Sequence, residues 1–288
     1  MNHMPIPHWM ITLIKQCHLW QKQLEACCLL PAERKTVITR LCISLVVANS
    51  YSSEIGHLVN EVVENGMVKD IELTIGIANL GLVSDDELIK HANGVISFFC
   101  NYPNISFCLT RLLLFNATFA ESDLHNLIAN VCMELHYLYL SRCDTGFQST
   151  FKIDAPNSKL NILELVHCYF SQVELHCLLM LEKVIFGFWL TKCVPLTWGH
   201  IPCLKEVEVF SVMPPHQEQF KLSEFLCGAA CINTLSLDFL RQKVIHIYSI
   251  TIVSAVVISS GHMPRHNINF WAKQCLLTFG RLCWYRFL

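Results

Sequence analysis

The segments LHYLYLSRC, residues 135–143, and LNILELVHC, residues 160–168, repeat one pattern of apolar positions. A first apolar residue is followed three positions later by a second and two positions after that by a third, and a cysteine closes both segments. Residues two apart on a strand point to the same side. The pattern therefore predicts short strands with one buried side. We expect the first apolar residue to pack under the preceding turn, and the closing cysteine to point inward toward the backbone of the neighbouring coil.

This pattern occurs eight times. Its first positions are Ile38, Val68, Leu109, Leu135, Leu160, Leu181, Leu204 and Ile232. In the third copy Asn116 takes the place of the closing cysteine, and we expect it to point inward as well. The copies follow one another at steps of 30, 41, 26, 25, 21, 23 and 28 residues, and most of these steps fall in the roughly 20–29 residues of a leucine-rich repeat. We therefore predict an α/β leucine-rich-repeat solenoid, with parallel strands on its concave face. An ordinary α/β domain with buried strands is the alternative.

Amphipathic helices are predicted between several strands. One covers 53–65, a second begins at Ser84 with a capping box, a third begins at Ser122, and a fourth covers 222–230. The second helix has a stripe of residues that we expect to be buried: Leu88, Ala92, Val95, Ile96 and Phe99. The stretch 147–159 contains Pro and Asn and is predicted to be an extended loop.

Composition excludes several classes of protein. Of the 288 residues, 53% are hydrophobic and 15% are charged, which excludes a chain that is disordered throughout. The net charge of −2 has no basic excess, so no nucleic acid partner is expected. Sixteen cysteines in a chain of this length are too sparse for a disulfide scaffold. We interpret them as reduced thiols of a cytoplasmic or nuclear protein.

The sequence divides into three parts. Residues 1–37 form a divergent N-terminal segment, 38–243 the repeat domain, and 244–288 an apolar basic tail. Residues 239–288 contain six Lys and Arg and no acid. The apolar run 244–258 is shorter than the roughly 20 residues that a membrane helix needs, so no membrane partner is expected. The run is interpreted either as a pair of buried strands or as sequence of a different genetic origin, from a mistranslated intron or a truncated gene model.

Candidate chemistry is sparse. Two adjacent His-Cys pairs are followed by four further cysteines: His167, Cys168, His176, Cys177, Cys193, Cys203, Cys227 and Cys231. A zinc site among them is one interpretation, but no pair of CxxC motifs is present, and buried thiols are the simpler one. We therefore expect no metal, no cofactor and no catalytic residue. A Cys/His-dependent enzyme remains the alternative of another class.

The outward positions of the predicted strands are candidates for protein binding, because solenoids expose strand residues as a recognition surface. They are Glu72, Thr74, Arg111, Leu113, Tyr137, Tyr139, Ile162, Glu164, Glu206, Glu208, Thr234 and Ser236, with Lys205 beside them.

The residues 39–238, about two thirds of the chain, resemble the leucine-rich region of grass-type plant F-box proteins that often carry a C-terminal FBD segment. The most similar run is APNSKL at 155–160, followed by Leu163-Glu164-Leu165 and Cys168. Other matching runs lie at 57–59, 70–73, 108–114 and 136–143.

The resemblance implies a substrate-recognition region of a cullin-type ubiquitin ligase. In that family an N-terminal F-box binds a Skp-type adaptor. Here residues 29–40 resemble an F-box only weakly, and no FBD segment is recognisable. The adaptor is expected as a partner only if residues 1–38 hold a degenerate F-box. The alternative is a truncated, non-ligase relative that acts as a decoy or is a gene fragment.

Overall fold

A computed structural model of the chain describes residues 38–45, 51–76, 84–146, 149–188, 196–211, 225–229, 232–239 and 255–259. Within these residues the fold is mixed α/β, and its parallel strands form a solenoid-like coil of about four turns. The α/β class and the parallel solenoid are thereby confirmed.

The main sheet contains nine parallel strands among the described residues. In spatial order they are β1 (Leu41–Leu45), β2 (Ile71–Ile75), β3 (Leu109–Thr118), β4 (Tyr137–Asp144), β6 (Ile162–Val166), β8 (Lys183–Gly187), β10 (Glu206–Ser211), β11 (Thr234–Phe239) and β12 (Ala255–Ser259). Spatial order follows chain order, as a solenoid requires, and each of the eight predicted copies contributes one strand.

A second parallel sheet is formed by strands that alternate along the chain with strands of the main sheet. It consists of β5 (Thr150–Asp154), β7 (Gln172–Cys177) and β9 (Leu196–His200). From β4 to β10 the chain therefore alternates between the two sheets. The prediction of a loop over 147–159 is wrong in part, because residues 150–154 form strand β5, on which Phe151 and Ile153 are fully buried.

Helices connect the strands of the N-terminal half. They are α1 (Tyr51–Glu64), α2 (Asp85–Asn101), α3 (Pro103–Cys108) and α4 (Glu121–Asn126), and α4 continues as a π-helical turn at Leu127–Val131. The predicted capping box is present, since the Glu87 amide donates to the Ser84 hydroxyl and the Ser84 amide donates to the Glu87 carboxylate. Of the predicted fourth helix the structure describes 225–229, which are mainly a turn, and the rest lies outside the described residues.

The repeat pattern predicts the core well. Leu112, Leu138, Leu163, Val184 and Val207 are register partners on successive strands, and all five are fully buried. The first positions from Val68 onward are also buried, as expected for residues packed under a turn.

One register differs from the regular repeat. Aligning the copies pairs Ile71 with Leu112, but the structure pairs Leu73 with Leu112 after a bulge at the start of β3. The Thr110 hydroxyl donates to the Asp70 carboxylate beside this bulge. A shift of two residues keeps every side chain on its own side of the sheet. The same residues therefore remain buried and the same residues remain outward.

The remaining predictions on chain organisation lie mostly outside the described residues. This applies to 1–37 and to most of 244–288, where only β12 is described. β12 pairs in parallel with β11.

The buried side of α2 includes a histidine that the predicted stripe lacks. His91 is 1% exposed, and neither ring nitrogen makes a well-aligned hydrogen bond to a described residue. Ala92, Val95 and Phe99 are buried as predicted, whereas Leu88 and Ile96 are half-buried. Burial lowers the pKa of His91 below its ordinary value of 6.5, and the backbone of Phe115 opposes this only in part.

We expect His91 to make the fold sensitive to acid. In the unfolded chain this histidine takes up a proton near pH 6.5, whereas in the folded chain it stays neutral to lower pH. The unfolded state then binds more protons, and the free energy of unfolding falls as the pH drops below 6.5. When the pH is lowered from about 7.5 to about 5.5, the free energy of unfolding measured by urea titration should fall less in His91→Leu than in the wild type. His200→Gln, at an exposed position, should lose as much as the wild type. An undiminished acid loss in His91→Leu would refute this assignment.

Candidate functional site

The outward residues of seven neighbouring strands form two rows across the main sheet, which we call the open face. The first row is Glu72, Arg111, Tyr137, Ile162, Lys183, Glu206 and Thr234. The second row is Thr74, Leu113, Tyr139, Glu164, Ile185, Glu208 and Ser236. All fourteen side chains are half-buried. The structure thus brings the twelve predicted residues together on one surface.

Two members of the open face were absent from the prediction. Lys183 and Ile185 lie on β8, which comes from the copy that begins at Leu181, and the same alternation around Val184 identifies them. Lys205 lies outside the rows, and its amine contacts Glu182 at 2.9 Å.

A polar network crosses the N-terminal half of the open face. Arg40 donates to Glu72 at 2.7 Å, and the Nε of Arg111 lies 3.3 Å from the same carboxylate. The guanidinium of Arg111 lies 4.0 Å from the centre of the Tyr137 ring, a cation–π geometry. The Tyr137 hydroxyl in turn donates to Glu164 at 2.6 Å. Burial and the neighbouring Glu164 raise the pKa of Tyr137, so the phenol remains a donor.

A second cluster lies on β8 and β10. The amine of Lys183 is 2.6 Å from Glu208 and 3.2 Å from Glu206. Burial alone would lower the pKa of Lys183, but hydrogen bonds and charge from the two carboxylates outweigh it and raise the pKa. This lysine is therefore firmly charged and held in place by its neighbours.

Aromatic side chains lie on the open face and beside it. Phe115 and Tyr139 lie with ring centres 5.2 Å apart. Beyond the ends of β6 and β8, His167 stacks on Phe188 at 4.2 Å, and Phe188 meets Phe210 edge-on at 5.1 Å. Rigid aromatic surfaces of this kind are favoured at protein interfaces.

The closing cysteines hold the coils to one another. The thiol of Cys143 donates to the Leu114 carbonyl at 3.6 Å, and that of Cys168 donates to the Leu140 carbonyl at 3.3 Å, each on the preceding strand of the main sheet. Both thiols are buried, which raises the pKa of Cys143 strongly and that of Cys168 to about 12. The inward prediction is confirmed for these two residues.

The inward prediction is wrong for Asn116. Ala117 is the register partner of Cys143 and is buried, whereas Asn116 is half-buried one residue earlier. Asn116 has a φ of 53°, like Arg142 (53°) and His167 (56°) at the corresponding positions of the next two copies. Asn is among the residues that tolerate this left-handed conformation best, so Asn116 suits a backbone position of positive φ within β3.

The other candidate ligands do not converge where the structure describes them. Within the described ranges, no group of three or more His, Cys, Asp or Glu side chains is arranged to hold a metal ion. His176 instead contacts Glu174 at 3.0 Å on β7. Cys193 and Cys231 lie outside the described residues.

None of the helices in the described part of the chain has the length and apolar character needed to cross a membrane. Comparison of the chain with protein-family models, curated proteins and solved structures finds no match.

Proposed function

We propose that this chain is a leucine-rich-repeat protein-interaction module whose open face binds a partner protein, and that it is related to the substrate-recognition region of F-box proteins. The observation that carries the proposal is the open face itself. Fourteen half-buried side chains stand in register on seven parallel strands, which at about 4.8 Å per strand span about 29 Å.

The chemistry of the open face supports protein binding. Tyr and Arg are among the residues most enriched in strong interface contacts, and Tyr137, Tyr139 and Arg111 lie side by side on β3 and β4. An ion pair holds Arg111 and a hydrogen bond holds Tyr137, so less conformational entropy is lost when a partner binds.

Two variants, one on the open face and one away from it, test the proposal by their capture of the partner protein. Tyr139→Ser is expected to weaken capture of the partner by about 30-fold, the scale of a strong interface residue. Lys152→Ala, on β5 of the second sheet, should leave capture unchanged, because its side chain lies on a different surface. The measurement is quantitative mass spectrometry of proteins retained by the tagged full chain and by each variant. Equal retention by both variants would contradict binding at the open face.

The relation to F-box proteins predicts a further partner. If residues 1–38 contain a degenerate F-box, the full chain co-purifies with the Skp-type adaptor and a version beginning at Thr39 does not. If neither version retains the adaptor, the chain is a free interaction module or a non-ligase decoy. Circular dichroism of the shortened version is the control for folding.

The alternative of a Cys/His enzyme receives no support from the buried thiols. A nucleophilic cysteine needs a lowered pKa, whereas burial raises the pKa of Cys132, Cys143 and Cys168.

A further inference from the structure

The open face is unevenly charged. Its fourteen residues include four carboxylates and two cations, which gives 2 − 4 = −2. Glu72 is balanced by Arg111 on the neighbouring strand and by Arg40. The excess therefore lies on β6 to β10, where Glu164, Glu206 and Glu208 face Lys183 as their only cation on the open face, giving 1 − 3 = −2.

Glu164 is the carboxylate of the open face whose negative charge is least neutralised by nearby cations. Its hydrogen bond comes from the neutral Tyr137 hydroxyl, and no described cation lies within ion-pair distance of it. Its register neighbours are Tyr139 on one side and Ile185 on the other, and Glu208 follows Ile185 in the same row. The row thus alternates aromatic, acidic, apolar and acidic side chains.

This alternation matches the chemistry of a long basic side chain. The aliphatic part of Lys or Arg packs on apolar and aromatic surface while its charged end reaches a polar group, and a guanidinium also binds the face of a Tyr ring. Tyr139 and Ile185 supply that surface, and Glu164 and Glu208 supply the charge. The same negative charge disfavours the phosphates of a nucleic acid.

The spacing of the two carboxylates selects a peptide geometry. Glu164 and Glu208 are two strands apart in one row, which is about 9.6 Å at about 4.8 Å per strand. In a polyproline II segment, residues three apart lie on the same side and are separated by about 9.3 Å. A segment of this kind running across the strands presents a cation to each carboxylate.

We propose, building on protein binding at the open face, that its β4-to-β10 region binds an extended basic peptide segment whose Lys or Arg side chains, three residues apart, meet Glu164 and Glu208. The region distinguishes its partners by positive charge and by spacing, and Tyr139 and Ile185 hold the stems of the bound side chains.

The test uses the full chain and a fluorescein-labelled peptide of four Arg-Pro-Pro repeats, followed by fluorescence anisotropy. We expect the Glu164→Gln and Glu208→Gln double variant to bind about fivefold to twentyfold more weakly than the wild type, the combined effect of two half-exposed charge pairs. Glu174→Gln removes a carboxylate from β7 of the second sheet and should bind as the wild type does. A peptide with citrulline in place of arginine keeps the shape without the charge and should bind poorly. A peptide of Arg-Pro-Pro-Pro repeats should also bind less well.

Three results would overturn the inference. They are equal binding of the arginine and citrulline peptides, an equal loss of affinity in Glu174→Gln, and a wild-type affinity in the double variant. If the partner found by capture is lost in Tyr139→Ser but fully retained by the double variant, the open face binds protein without a basic segment. The inference then fails while the proposed function stands. Self-association that the double variant abolishes, with no binding of the probe, would show that a second copy occupies this region instead.

Discussion

Replacing Phe151 with alanine is expected to lower the free energy of unfolding by about 3–5 kcal/mol. Phe151 lies on β5, is fully buried, and stacks on Phe170 with ring centres 4.8 Å apart. It packs in the same hydrophobic cluster as the strands of the main sheet. Deleting the ring therefore leaves a cavity between the two sheets that close-packed neighbours fill only in part. The measurement is equilibrium urea unfolding followed by circular dichroism.

Lys152→Ala is the matched control for this change. Lys152 is the next residue on the same strand, its side chain is 54% exposed, and it lies 3.8 Å from Glu174. An exposed ion pair of this kind contributes about 0–1 kcal/mol. If both variants unfold at the same urea concentration, the second sheet does not share the core, and the two-sheet coil between β4 and β10 is wrong.

Replacing Leu138 with alanine is expected to cost about 2–5 kcal/mol. Leu138 is fully buried at the centre of β4, and its register partners Leu112 and Leu163 are also fully buried. Since each coil contacts mainly its neighbours in a solenoid, the cavity weakens the interfaces on both sides of β4. Urea unfolding measures the effect, and hydrogen exchange shows whether it is concentrated in β3, β4 and β6.

Tyr139→Ser is the matched control in the same strand. Tyr139 is half-buried on the open face and its main ring contact is Phe115. Loss of an aromatic pair costs about 0.5–1.5 kcal/mol in addition to the energy of the buried area. This variant should therefore remain folded while it no longer binds the partner protein. A larger loss of stability in Tyr139→Ser than in Leu138→Ala would reverse the assignment of the two sides of the sheet.

Eight of the nine strands described in the main sheet could be predicted because each contains the same local signal. Apolar residues at alternate positions, as at Leu138 and Leu140, specify a buried side and an outward side without reference to the rest of the fold. The capping box at Ser84 is equally local, because it involves residues three apart. The twelve candidate residues of the open face follow from the same alternation, which is why they all lie on one surface.

The second sheet and the register slip depend on interactions that the sequence does not display locally. β5 has only Phe151 and Ile153 between polar neighbours, and it becomes a strand by pairing with β7 about twenty residues away. The bulge at β3 involves Thr110 and Asp70, which are 40 residues apart. His91 is polar, so an apolar stripe leaves it out, yet the packing of α2 on β3 buries it.

The charge pattern of the open face is also a product of the register. Lys183 meets Glu206 and Glu208 only because β8 and β10 pair in parallel, and Arg111 meets Glu72 only because of the two-residue shift. The residue types in each strand predict a polar surface, whereas the excess of negative charge on β6 to β10 emerges from the order of the strands.

Hydroxyl-radical footprinting of the full chain, with and without its captured partner, tests the central claim most directly. If the open face binds the partner, Tyr139 and Phe115 lose reactivity in the complex, whereas Tyr169, which is 45% exposed outside the two rows, keeps it. Unchanged reactivity of Tyr139 and Phe115, together with protection of Tyr169, would contradict binding at the open face.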